Sequence, residues 1–153
     1  MRKFLARYMD KTDYLIHCDM FDTKKFPTDA NVIDCGLGES NAMNIAGGLA
    51  SCGETVYVYG VAGFMIHRLE QLKFSCCMHG ARFGKIIIVN AGQYGYEKFG
   101  AGHKLEDDCE ITEMLGITFH TPQDIDEFEE LLDIIKNDYT KGIFYIRLGR
   151  DNE

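Results

Sequence analysis

No stretch of this chain approaches the about 18 consecutive apolar residues that a bilayer-spanning helix needs, so a membrane role is not expected. The basic opening Met1-Arg2-Lys3-Phe4-Leu5-Ala6-Arg7 meets Asp10, Lys11 and Asp13 before any apolar core develops, and does not read as a signal peptide. Runs of Lys or Arg are missing, and 16 basic against 24 acidic side chains leave a net charge of −8. Such a surface repels polyphosphate, which argues against a nucleic-acid partner. No CxxC pair occurs among the cysteines at 18, 35, 52, 76, 77 and 109, and no Cys or His spacing matches a zinc knuckle. Reduced, mostly buried thiols in a cytoplasmic protein are the expectation, with no metal held by the chain itself. Internal repeats, linkers and low-complexity segments are absent too. With 46% hydrophobic residues, the 153 positions read as one domain, residues 1–153, long enough to build its own core.

Short β-branched runs alternate with amphipathic segments along the chain. Candidate strands are Tyr14–Met20, Asn31–Cys35, Thr55–Val61, Lys85–Ala91, Gly116–His120 and Gly142–Leu148; helical patterns cover about Glu39–Cys52, Gly63–His79, Leu105–Leu115 and Gln123–Asp138. In the last of these Ile125, Phe128, Leu131, Leu132 and Ile135 share a face opposite a row of carboxylates, with Thr121-Pro122 as its expected cap and first turn. Lys85-Ile86-Ile87-Ile88-Val89 is apolar on both faces, as a central parallel strand requires. The pattern predicts an α/β three-layer sandwich around a mostly parallel sheet. The glycine-rich stretch 92–102 follows the central strand, so it falls at the carboxyl edge, where open α/β folds place ligands.

Chemistry concentrates in Asp34-Cys35-Gly36-Leu37-Gly38-Glu39-Ser40-Asn41-Ala42. A strand ends, two glycines turn the chain, and Glu39 opens a helix whose Ala42, Ala46, Gly47, Gly48 and Ala50 permit close backbone approach. From spacing alone Glu39 reads as a solvated carboxylate complementing the helix dipole. Gly-x-Gly here is a weak dinucleotide signal, because Asn41 holds the place of the third glycine.

The run from Asp34 to Gly53 resembles the transketolase and deoxyxylulose-phosphate synthase families, whose pattern is Asp-x-Gly-Ile-x-Glu-Gln-x-Ala before a small-residue helix. Later stretches follow in family order. Ala62–Gln71 is similar to a Thr-Phe-Leu-x-Arg-x-x-Asp-Gln block, Gly100–Asp107 to Gly-x-Thr-His-x-x-Glu-Asp, and Phe144–Arg150 to a closing Tyr-Ile-Arg-Leu-x-Arg. The resemblance implies the thiamine-diphosphate-binding fold in its pyrimidine-domain form. It also implies that Glu39 bonds a ring nitrogen of the cofactor's aminopyrimidine, favouring the tautomer that activates the cofactor for attack on a ketose carbonyl. Phe64 matches an aromatic packed on that ring, and Gly38 and Val61 flank the same subsite. His103 matches a histidine facing the substrate, with His67 and Arg68 at the place of a phosphate-binding arginine. Departures from the pattern are His67 for that arginine, Phe99 for an acidic residue, Val61 for a second aromatic and Ser40 for glutamine.

The family holds the cofactor between two domains, the second binding the diphosphate through Mg²⁺ with a Gly-Asp-Gly motif and a later Asn. Gly-Asp-Gly occurs nowhere in this sequence. The resemblance therefore implies a separate diphosphate-binding subunit that carries the Mg²⁺, and a homo- or hetero-oligomer. A naturally split enzyme is preferred over a fragment, because the chain opens with Met and a short helix-like lead. The helix from Glu39 is the expected subunit contact. Ketol transfer between sugars or sugar phosphates is the expected reaction. The alternatives are a synthase or decarboxylase acting on a 2-oxo acid, or a non-catalytic interaction protein.

Overall fold

Six strands alternate with helices in a computed structural model that describes residues 1–91 and 107–148. The strands are β1 (Asp13–His17), β2 (Asn31–Asp34), β3 (Thr55–Val61), β4 (Lys85–Ala91), β5 (Thr118–His120) and β6 (Gly142–Leu148). They form one sheet in the order β2-β1-β3-β4-β6-β5, and every pairing is parallel. The helices are α1 (Arg2–Tyr8), α2 (Glu39–Ser51), α3 (Ala62–Ile66), α4 (Leu69–Gln71, running into a wider π-helical stretch Leu72–His79), α5 (Asp108–Leu115) and α6 (Ile125–Asp138).

Side chains alternate across each strand, so the isoleucine run of β4 feeds two cores. Ile87 and Val89 join Leu15, Tyr57, Tyr59, Phe144 and Ile146 beneath α1 and α6. Ile86 and Ile88 join Ile16, Val56, Val58 and Tyr145 beneath α2, Met65 and Cys76. Both faces are covered, as an all-parallel sheet demands. Three layers result, in agreement with the sequence pattern.

Several boundaries shift for local reasons. β1 stops at His17 rather than Met20, because Asp19 turns the chain at φ 53°. β5 starts at Thr118 rather than Gly116, since Gly116 at φ 67° is the left-handed cap of α5. Thr121 is not the cap of α6. Asp124 is: its carboxylate accepts the Glu127 amide at 2.9 Å, while Glu127 accepts the Gln123 amide at 2.7 Å. The helix expected over Gly63–His79 breaks at His67–Arg68. The His67 ring takes the Gly63 carbonyl at 2.6 Å, the acceptor that a continuing helix would offer to a backbone N–H.

The small residues of α2 are used within the chain rather than kept for another subunit. Ala42, Ala46, Gly47 and Ala50 are buried, and a Cβ on Gly47 would overlap the Ser75 carbonyl. The outer side of the helix, at Asn41, Asn44, Gly48 and Ser51, is left exposed.

Candidate active site

Along the sheet the chain steps outward from β1 to β2 and then returns across β1 to β3. Such a reversal opens a crevice at the carboxyl ends of the strands. The carboxyl ends of β2 and β3 carry Gly38-Glu39 and Val61–Phe64 to this place. The turn into α2 is tight. Gly38 donates its amide to the Cys35 carbonyl at 3.1 Å, and a Cβ at Gly38 would stand 2.9 Å from that oxygen. Only glycine fits there.

Glu39 begins α2 with its side chain 13% exposed, which removes it from bulk water without sealing it in. Its nearest described cation is the Arg68 guanidinium, 4.0 Å away and 40% exposed. That separation exceeds a hydrogen bond and leaves the carboxylate able to take another donor. Cys18, at the end of β1, is the buried neighbour beneath it. Burial, then the adjacent Glu39 charge and Cys35, push the Cys18 thiol up to about 12.

Phe64 is half-buried among the buried Ala62, Gly63, Met65 and Ile66. Val61 is buried at the end of β3 and caps α3. His67 does not reach outward freely. Its Nδ1 lies 2.6 Å from the Gly63 carbonyl and its Nε2 3.1 Å from the Asp107 carboxylate. Arg68 turns toward Glu39, and its buried Nε has no hydrogen-bond partner among the described residues. The structure thus brings Gly38, Glu39, Phe64 and Arg68 to one edge. His103 and Phe99 lie outside the described residues. Open clefts of about 480 and 450 Å³ occur beside His17 and Phe21, and Glu39 is not among their linings.

No cluster of three His, Cys, Asp or Glu side chains suited to a metal ion occurs among the described residues. In the same residues no helix is long and apolar enough to cross a membrane. The thiols are less buried than expected: Cys18 and Cys76 are buried, Cys35 and Cys77 intermediate, Cys52 and Cys109 exposed.

No family model matches the chain. A Phocaeicola vulgatus protein described as a subunit of apulose-4-phosphate transketolase is 32% identical over 123 residues, covering 79% of this chain and 38% of that protein. The chain belongs to the transketolase family. A Rhodococcoides fascians protein, described as an uncharacterized 33.6 kDa protein in the fasciation locus, is 31% identical over 120 residues, covering 77% of this chain and 37% of that protein. This transketolase-family chain therefore spans well under half the length of the curated relatives it matches. A solved structure described as a split gene transketolase in an inactive β4 tetramer has the same fold. It superposes with a TM-score of 0.70 at 22% identity, over 97% of this chain and 49% of that one.

Placed on the structure, the transketolase-type blocks show contacts that sequence reading missed. Asp34, which opens the first block, accepts the amides of Gly36 at 2.9 Å and Asp19 at 3.2 Å, so it clips the ends of β1 and β2 together. The Gly36 amide first, then that of Asp19, hold its carboxyl below the usual range. Asp followed two residues later by a turn glycine is the signal that could have revealed it. Asp108, fully buried at the head of α5, accepts the Tyr145 hydroxyl at 2.9 Å and the Arg147 Nε at 2.9 Å, and Arg147 adds a second bond through its Nη2. The Tyr-Ile-Arg-Leu block is thereby joined to the residue following the Gly-x-x-His-x-x-Glu-Asp block.

Proposed function

We propose that this chain is the pyrimidine-binding part of a thiamine-diphosphate enzyme that moves a two-carbon ketol unit between sugars or sugar phosphates. The observation that carries this reading is the position of Glu39: a largely buried carboxylate at the head of α2, on the carboxyl edge of the sheet, with no described cation closer than 4.0 Å. The residues present fit the cofactor's pyrimidine end. Glu39 would hold a ring nitrogen through a charge-assisted hydrogen bond, and the half-buried Phe64 would set its aromatic ring against the pyrimidine. Gly38 keeps the turn narrow enough for close approach, and Val61 backs the same edge. When bound, thiamine diphosphate supplies the carbon nucleophile and the electron sink for the transfer. The chain's own residues set the protonation of the ring, orient it and exclude water from one side.

His103 is assigned to the reacting substrate and Arg68 to an anionic substrate group, with His67 holding the Arg68 segment through Asp107. The Phocaeicola vulgatus relative's name, with its sugar phosphate, agrees with an anion contact at this place. Diphosphate and Mg²⁺ fall to a partner subunit, which the description of the structural neighbour as an inactive β assembly supports. The six unpaired thiols favour a reducing, cytoplasmic setting.

The test pairs this chain with the product of a neighbouring reading frame that carries Gly-Asp-Gly and a downstream Asn. Thiamine diphosphate, Mg²⁺ and ketose donors are added. Ketol transfer to an aldose acceptor is expected, and neither component alone should turn over. Release of CO₂ from a 2-oxo acid without ketol transfer would replace this reading with a decarboxylase. Absence of any cofactor binding by the pair would leave a non-catalytic protein.

A further inference from the structure

β1 and β2 run parallel in register, with His17 opposite Asp34, and the ladder continues one step further through the Cys35 amide to the His17 carbonyl at 2.8 Å. Cys18 and Cys35 are therefore opposite each other on neighbouring strands. Both belong to the same core as Ile16 and Ile33, so both thiols leave the same face of the sheet. Neighbouring strands lie about 4.8 Å apart, within the roughly 4.4–6.8 Å Cα separation that a disulfide spans. Each strand turns immediately afterwards, at Asp19 with φ 53° and at Gly36 with φ 57°, and Asp34 clips the two turns together.

We propose that Cys18 and Cys35 form a reversible oxidation site at the foot of Glu39, whose reactant is a low-molecular-weight disulfide. Cys35, the more exposed thiol, attacks one sulfur of the small disulfide and expels one thiol. Cys18 then attacks the mixed disulfide at Cys35 and expels the second. Two protein S–H bonds and one small-molecule S–S bond are lost, and one protein S–S bond and two small-molecule S–H bonds form. Both electrons and both protons end on the small molecule. Burial pushes up both thiols, Cys18 further than Cys35, so little thiolate is present near neutral pH and exchange accelerates as pH rises. The bond draws together the ends of β1 and β2 and restrains the turn over residues 36–38 that presents Glu39. This proposal does not depend on the ketol-transfer reading, because the cross-link is measured on the chain itself.

The experiment exposes the full chain to oxidised glutathione at pH 8.5, blocks free thiols with iodoacetamide and maps the tryptic peptides by mass spectrometry. Exposed Cys52 and Cys109 serve as internal reporters of ordinary reactivity. The expected product is an intramolecular Cys18–Cys35 link that dithiothreitol reverses and that Cys35→Ser abolishes while the variant keeps its circular dichroism spectrum. Amide exchange over residues 36–40 should slow on oxidation of the natural chain and stay unchanged in Cys35→Ala. Cys35 stopping as a glutathione adduct beside an unmodified Cys18, or Cys18 joining any other cysteine, overturns the proposal. Unchanged amide exchange in a fully linked chain overturns the restraint on the Glu39 turn.

Discussion

Removing the Asp108 carboxylate should be among the most damaging single changes on the described half of this sheet edge. The side chain is fully buried and serves three donors, the Tyr145 hydroxyl and two nitrogens of Arg147, whose own side chain is 17% exposed. Asp108→Ala strands a mostly buried guanidinium and a buried hydroxyl at once. Breaking a buried ion pair from one side costs about 3–5 kcal/mol. For a chain of this size each kcal/mol lowers the melting temperature by roughly 2–4 °C. Asp108→Ala should therefore melt about 6–20 °C below the natural chain, read by thermal circular dichroism and by urea titration. Replacing both partners, as in Asp108→Leu with Arg147→Met, leaves no orphaned charge and should lose less than the single change. An Asp108→Ala loss within about 1 kcal/mol of zero, or a double variant worse than the sum of its singles, refutes the buried-network account.

Three further outcomes follow from particular contacts. Gly47→Ala drives a methyl group against the Ser75 carbonyl where α2 crosses the π-helical stretch, and should cost at least about 1–3 kcal/mol in urea unfolding; Gly48→Ala, facing open space on the same helix, should be neutral or stabilising. Asp124→Ala removes the cap of α6 and should cost about 1 kcal/mol in the same assay, while Thr121→Ala should cost less. Burial lowers the pKa of both His17 and His120 below the ordinary 6.5. The unfolded chain then takes up protons before the folded one does, so their contribution is complete above about pH 6.5 and shrinks as pH falls through the folded values. Stability measured from pH 8 downward should drop below pH 6.5, and His17→Gln should flatten part of that drop. An undiminished drop in His17→Gln would contradict it.

Periodicity alone conveyed the layers, because residues such as Ile86–Val89 are apolar on both sides and Phe128, Leu132 and Ile135 repeat at helical spacing. Where side chains compete with backbone, the pattern failed. His67 takes the Gly63 carbonyl and breaks a helix that hydrophobic spacing would have continued, and Asp124 displaces Thr121 as a cap. Spacing could not distinguish Glu39 from a solvated dipole partner either, since burial depends on Cys18 and Arg68 from other elements. Family resemblance singled out that residue. It did not reveal Asp108, whose partners Tyr145 and Arg147 are 37 and 39 positions away in the chain.

Control of the cofactor by Glu39 is tested most directly by turnover. The natural chain and Glu39→Gln are each combined with a diphosphate-binding partner, thiamine diphosphate and Mg²⁺, and ketol transfer from a ketose donor is followed. Glutamine keeps the shape of the side chain but not its charge, so transfer should fall by at least about 10²-fold while the variant's melting temperature stays within a few degrees. Transfer retained at near-natural rates by a folded Glu39→Gln chain would contradict the assignment of this edge of the sheet as the cofactor's pyrimidine site.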